Sequence, residues 1–131
     1  MVAVDTHILI WDALAPKRLS HAASAAVRAA NESDGIIVAD ICLWEIAILL
    51  SKGRVRVDTS CADFLRYIQA ANRIHVRAIT PRIAELSAAL PPSINSDPAD
   101  RLIAATALVN GVALVTADRN LRSVPDLITV W

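Results

Sequence analysis

Four acidic residues stand in or beside separate apolar runs of this 131-residue chain. Asp5 closes Val2-Ala3-Val4, and Glu45 interrupts a stretch from Ile41 to Leu50 that is otherwise wholly apolar. Asp100 stands ahead of Leu102-Ile103-Ala104-Ala105, and Asp118 follows the run from Val112 to Ala117. Apolar runs become buried strands and helices, where an unpaired carboxylate costs several kcal/mol. Acids placed at the edge of a core need a partner, and a divalent cation is the simplest partner for four of them. Hard cations such as Mg²⁺ or Mn²⁺ take oxygen ligands and keep several waters, which suits carboxylates with no clustered histidine or thiol. Two such ions about 3.5–4 Å apart stabilise the attacking and leaving oxygens of an in-line phosphoryl displacement. Without metal, the same cluster repels itself and takes up protons. The chemistry expected of Asp5, Glu45, Asp100 and Asp118 is metal-dependent phosphodiester hydrolysis, with a metal-activated water as nucleophile.

Each acid also has a plainer reading. Asp5 can cap a helix after a strand, and Asp118 sits among turn-like residues. Asp97 stands where a helix N-cap belongs, and Asp100 falls in that helix's first turn, where acids favour the dipole anyway. Glu45 resists such readings best, since capping does not explain an acid in mid-helix; a buried ion pair with an arginine is its alternative. Four acids with one destination carry more than any single one. His7, early in the first helix, reads as a core or supporting residue. Lys52, Arg54 and Arg56 form a local basic strip, read as solvated. Arg101, Arg119 and Arg122 fall near the acids, within reach of the carboxylates or of a substrate phosphate.

The elements that must position these residues follow from capping, turn chemistry and periodicity. Met1 to Val4 is a strand, and Thr6 caps a helix through Leu14 that Pro16 ends. Ser20 caps an alanine-rich helix to about Asn31. Ile36 to Ala39 is a second strand; Asp40 caps the helix holding Glu45, which Gly53 stops. A helix from about Ser60 to Ala71 precedes a third strand, Ile74 to Ile79. Thr80-Pro81 and Asp97-Pro98 are cap-plus-proline signals opening helices that end near Leu90 and Gly111. Val112 to Thr116 is a fourth strand and Leu127 to Val130 a short fifth. Strands alternating with helices imply right-handed βαβ units and a three-layer α/β/α sandwich around a mostly parallel sheet. Ligands bind such sheets outside the carboxyl ends of the strands, which is where Asp5 and Asp118 fall.

Composition sets the outer bounds. The length suits a single domain over residues 1–131. The chain is 55% hydrophobic, enough for a generous core, and its 13 basic and 13 acidic residues cancel, so attraction to nucleic acid has to be local. No apolar stretch is long enough to span a bilayer, so no membrane partner is expected. Cys42 and Cys61 lack metal-type spacing and read as reduced thiols of a cytoplasmic protein.

The chain resembles the PIN-domain family, in particular the VapC-type toxin ribonucleases of type II toxin–antitoxin pairs. The resemblance rests on Val4-Asp5-Thr6-His7 through Trp11, on Leu43-Trp44-Glu45-Ile46-Ala47 with Gly53 following, on Asp97-Pro98-Ala99-Asp100 through Ala107, and on Leu114-Val115-Thr116-Ala117-Asp118. It implies Mg²⁺-dependent cleavage of RNA, homodimers, and inhibition by a cognate antitoxin that docks in an apolar groove and places a basic side chain among the acids. It also implies that Asp5, Glu45, Asp100 and Asp118 are the acidic cluster, Thr6 and Thr116 supporting residues, and Asp97 an auxiliary acid. The chain departs from the pattern at Asn95, where many relatives carry histidine, and at Ala39 and Cys42, where serines are common. A haloacid-dehalogenase-like phosphatase needs a second acid where His7 stands. A receiver domain needs paired acids after the first strand, and a dinucleotide fold needs a glycine-rich turn there. The alternative of a different class is a catalytically inactive PIN-like module that only binds a protein.

Overall fold

The computed structural model describes residues 1–94 and 96–131, so the Asn95 departure lies outside the described residues. Five strands form one sheet: β1 (Val2–Val4), β2 (Ile36–Ala39), β3 (Ile74–Arg77), β4 (Leu114–Val115) and β5 (Thr129–Val130). Their order is β3-β2-β1-β4-β5, and every pairing is parallel. Among the described residues the α-helices are α1 (Thr6–Leu14), α2 (His21–Glu32), α3 (Asp40–Ser51), α4 (Cys61–Ala71), α5 (Pro81–Ala89), α6 (Pro98–Asn110) and α7 (Arg119–Arg122). This is the α/β/α sandwich expected, with a sheet that is wholly parallel.

The strands are short and apolar on both sides, as a parallel sheet covered by helices requires. Ala3, Val4, Ile36, Ile37, Val38, Leu114 and Val115 are all buried. Helix α6 touches β1, β2, α3 and α5, whereas α2 lies against β1, β2, β4 and β5. Ala104 and Ala107 of α6 are small and wholly buried, which suits the contact of that helix with β1 and β2. Gly111 then ends α6 in the left-handed region, at φ 64°, with its N–H on the carbonyl of Leu108.

Several boundaries differ from the sequence reading, for identifiable reasons. Asp5, not Thr6, caps α1: its carboxylate accepts from the Ile8 N–H at 3.0 Å. Asp40 does not cap α3. It is the first helical residue after Ala39, and its carboxylate accepts from the Ile79 N–H at 3.2 Å, tying α3 to the chain after β3. Ser20, Ser60, Thr80 and Asp97 cap α2, α4, α5 and α6. Strand β3 stops at Arg77 and β4 covers two residues, because pairing ends where neighbouring strands end. A 3-10 turn at Pro16–Arg18 and the single-turn α7 had no periodic signal.

Candidate functional site

Strand β1 lies at the centre of the sheet, and the connections leave it for β2 on one side and return to β4 on the other. The crevice between β1 and β4 is the switch point at which parallel sheets hold ligands. The register pairs Val4 with Val115, so the next residues, Asp5 and Thr116, emerge side by side. The Thr116 hydroxyl donates to Asp5 Oδ2, and the Asp118 N–H donates to Thr116 Oγ1 at 3.1 Å. Thr116 is wholly buried and Asp5 6% exposed. One threonine thereby fixes both the carboxylate at the end of β1 and the backbone of the acid after β4.

The other acids arrive from helices. The Thr6 hydroxyl donates to Glu45 Oε1, which joins the start of α1 to the middle of α3. Asp97 accepts from the Ala99 N–H at 3.0 Å as the cap of α6, and Asp100 lies in that helix's first turn. Asp118 caps α7, accepting from the N–H groups of Asn120 at 2.7 Å and Leu121 at 3.2 Å. Asp5, Thr6, Glu45, Asp97, Asp100 and Asp118 line a single cavity of about 400 Å³, together with His7, Trp11, Ile103 and Ala117. All of the sequence-predicted site residues except Thr116 thus meet at that cavity, and Thr116 lies directly beneath it.

The electrostatics follow from that crowding. Burial pushes Asp100 up to about 7, with repulsion from Asp97, Asp118, Glu45 and Asp5 adding to it. Asp5 is also raised, chiefly by burial, against the opposing hydrogen bonds from Thr116 and Ile8. Glu45 is raised by burial too, with Thr6 opposing. Cys42, wholly buried on α3, is pushed up to about 12 by burial and so remains a thiol.

Arg101 reaches the backbone at the end of α5. Its Nε donates to the Ser87 carbonyl at 3.0 Å, one terminal nitrogen to Pro91 at 3.2 Å, and the other to Leu90. It clamps the end of α5 to the start of α6. His7 is exposed and belongs to the cavity wall, correcting its reading as a core residue. Trp11 lines the cavity as well. A spacing of four residues along α1 places the two on one helix face; that spacing was the signal for them in the sequence.

The sequence and the fold have counterparts among known proteins. A PIN domain signature matches residues 2–127, and the chain belongs to the PIN-domain family. It is 42% identical to Ribonuclease VapC22 of Mycobacterium tuberculosis over 132 residues, covering 99% of this chain and 98% of that protein. Its fold is shared with VapBC2 from Rickettsia felis bound to a promoter DNA fragment, at a TM-score of 0.71 and 17% identity, over 98% of this chain and 97% of the other. A toxin–antitoxin complex from Klebsiella pneumoniae gives 0.68 at 21% identity, with coverage of 98% and 97%.

Proposed function

We propose that this protein is the endoribonuclease toxin of a toxin–antitoxin pair, hydrolysing RNA phosphodiesters with divalent-metal help. The observation that carries the reading is the meeting of Asp5, Glu45, Asp100 and Asp118, from four different elements, at one cavity of a PIN-domain chain. The VapC ribonuclease likeness over nearly the full length supports the substrate.

The donor set fits a hard cation by type, since these four supply only carboxylate oxygens. Among the described residues no three ligand-type groups are already gathered closely enough to cage an ion. The fit therefore rests on chemistry: burial first, and then repulsion among the acids, disfavours the charged form of Asp100, and a bound cation would offset both. Asp5, Glu45, Asp100 and Asp118 would hold Mg²⁺ or Mn²⁺, which would supply positive charge for the phosphate and acidify a water. The protein's own part is to present carboxylates in fixed positions. Thr116 and the Ile8 amide hold Asp5, Thr6 holds Glu45, and the Asn120 and Leu121 amides hold Asp118. Asp97 adds negative charge beside Asp100 and Glu45, an auxiliary role. The partner that keeps such an enzyme silent is a cognate antitoxin, in line with the complexes that share this fold, and the toxin itself pairs as a homodimer.

The test is incubation of total cellular RNA with the antitoxin-free protein and Mg²⁺, beside Asp100→Asn. Discrete fragments from the wild type alone are expected. Equal fragments from both would remove Asp100 from the site. No cleavage and no metal binding by the wild type would favour an inactive binding module.

A further inference from the structure

The wall of the acidic cavity has an aromatic side that phosphate chemistry does not need. His7 and Trp11 stand one turn apart on α1, ring centres 5.8 Å apart and tilted by 53°, and both line the cavity. Trp11 is held from behind: the Trp131 ring centre lies 5.9 Å away, and the Arg18 guanidinium carbon sits 4.5 Å from the Trp11 ring centre. Trp11 also packs on the core, so its orientation is fixed before any ligand arrives. His7, by contrast, is exposed, although it shares the cavity with five carboxylates and an indole.

We infer that His7 and Trp11 form a nucleobase subsite, which stacks an unpaired base next to the phosphodiester presented to the acids. The inference rests on the ribonuclease reading above and deepens it. Aromatic faces accept any base, because every base has a π-face, and they require that the base be unstacked from a helix. The subsite therefore selects single-stranded RNA and places the backbone of the stacked nucleotide at the carboxylates. Arg18, on the Trp11 ring, adds positive charge at the same margin, where an otherwise acidic cavity repels phosphate. The two rings let a chain with no net charge hold a polyanion: the stacked base supplies attraction that a basic groove supplies elsewhere.

The test uses the full chain and two fluorescently labelled probes of equal length and charge, a single-stranded oligoribonucleotide and an abasic ribose-phosphate strand. Affinities are measured by anisotropy with Ca²⁺ in place of Mg²⁺, and cleavage of the first probe with Mg²⁺. Wild type is expected to prefer the base-bearing strand by about tenfold or more, the scale of one aromatic–base stack. His7→Ala should lose most of that preference with its fold unchanged, since His7 is exposed. His7→Phe should restore it, which a proton-transfer or purely structural role would not allow. Trp11→Phe, which keeps a ring on the core, should keep part of it. Cleavage by a wild type that binds both probes equally, or an unchanged preference in His7→Ala, would overturn the subsite and leave the ribonuclease intact. A wild type that neither binds nor cleaves the RNA would overturn both.

Discussion

Asp100 shows how the cavity opposes the stability of the fold around it. Burial, with repulsion from the neighbouring acids, pushes its carboxyl up to about 7 from the free group's 3.8. Between those values the folded state binds more protons than the unfolded one, so metal-free stability falls as pH rises through that window. Asp100→Asn removes the charge and should raise the metal-free melting temperature at pH 8, with the advantage vanishing near pH 4; thermal melts at both pH values check this. An amide variant no more stable than wild type at pH 8 would mean that the repulsion is relieved in some other way. Cleavage should be lost in Asp5→Asn and Glu45→Gln by about two orders of magnitude or more, measured on a defined RNA fragment, with circular dichroism unchanged. Thr116→Val keeps the shape but removes the hydroxyl that serves both Asp5 and the Asp118 amide. It should cost about 1–3 kcal/mol in chemical denaturation. The four acids were legible in the sequence because each disturbs an apolar run. The spacing of His7 and Trp11 put both on one face of α1, but a histidine beside apolar residues carries no mark of whether that face turns to the core or to a cavity.

Elements bring these residues together, and their alignment depends on a few groups outside the cavity. Arg101 binds the carbonyls of Ser87, Leu90 and Pro91 with a planar fork, and so fixes the angle between α5 and α6. Arg101→Lys cannot reproduce that fork. It should destabilise the chain by about 1–3 kcal/mol in urea titrations, and lower cleavage through the displaced start of α6, where Asp97 and Asp100 sit. Gly35, at φ 105°, opens β2 where an added Cβ would meet the Arg73 carbonyl at 2.7 Å and the His75 ring at 2.6 Å. Gly35→Ala should cost about 1–3 kcal/mol, read from the same titration. Cap and proline signals located α2, α4, α5 and α6 in the sequence, because each hydrogen bond involved is local. Strand ends were legible only roughly: where β3 or β4 stops depends on the neighbouring strand. The Asp40 carboxylate was read as a cap because its true partner, the Ile79 amide, lies 39 residues away.

At the scale of the whole molecule, the crowded acids predict a response to divalent cations. Mg²⁺ that binds only the folded chain should raise its melting temperature in a concentration-dependent way, by about 2.7 kcal/mol of stability at one hundred times the dissociation constant. The balance of 13 basic and 13 acidic residues leaves no broad positive field. The slope of log affinity for single-stranded RNA against log salt should then be no steeper than about −2, the value for roughly three neutralised phosphates; titrations from low to moderate salt measure it. The strand order has a further consequence for timing. Strand β1 is made first, yet the strand that completes its second edge begins at Leu114, and the Asp5–Thr116 contact closes 111 residues of chain. During synthesis the ribosome releases Asp5, Glu45 and Asp100 well before Asp118 and the strand that brings it into place. Asp118 and its neighbour Thr116 can therefore join Asp5 only after the greater part of the sheet and its helices has been made.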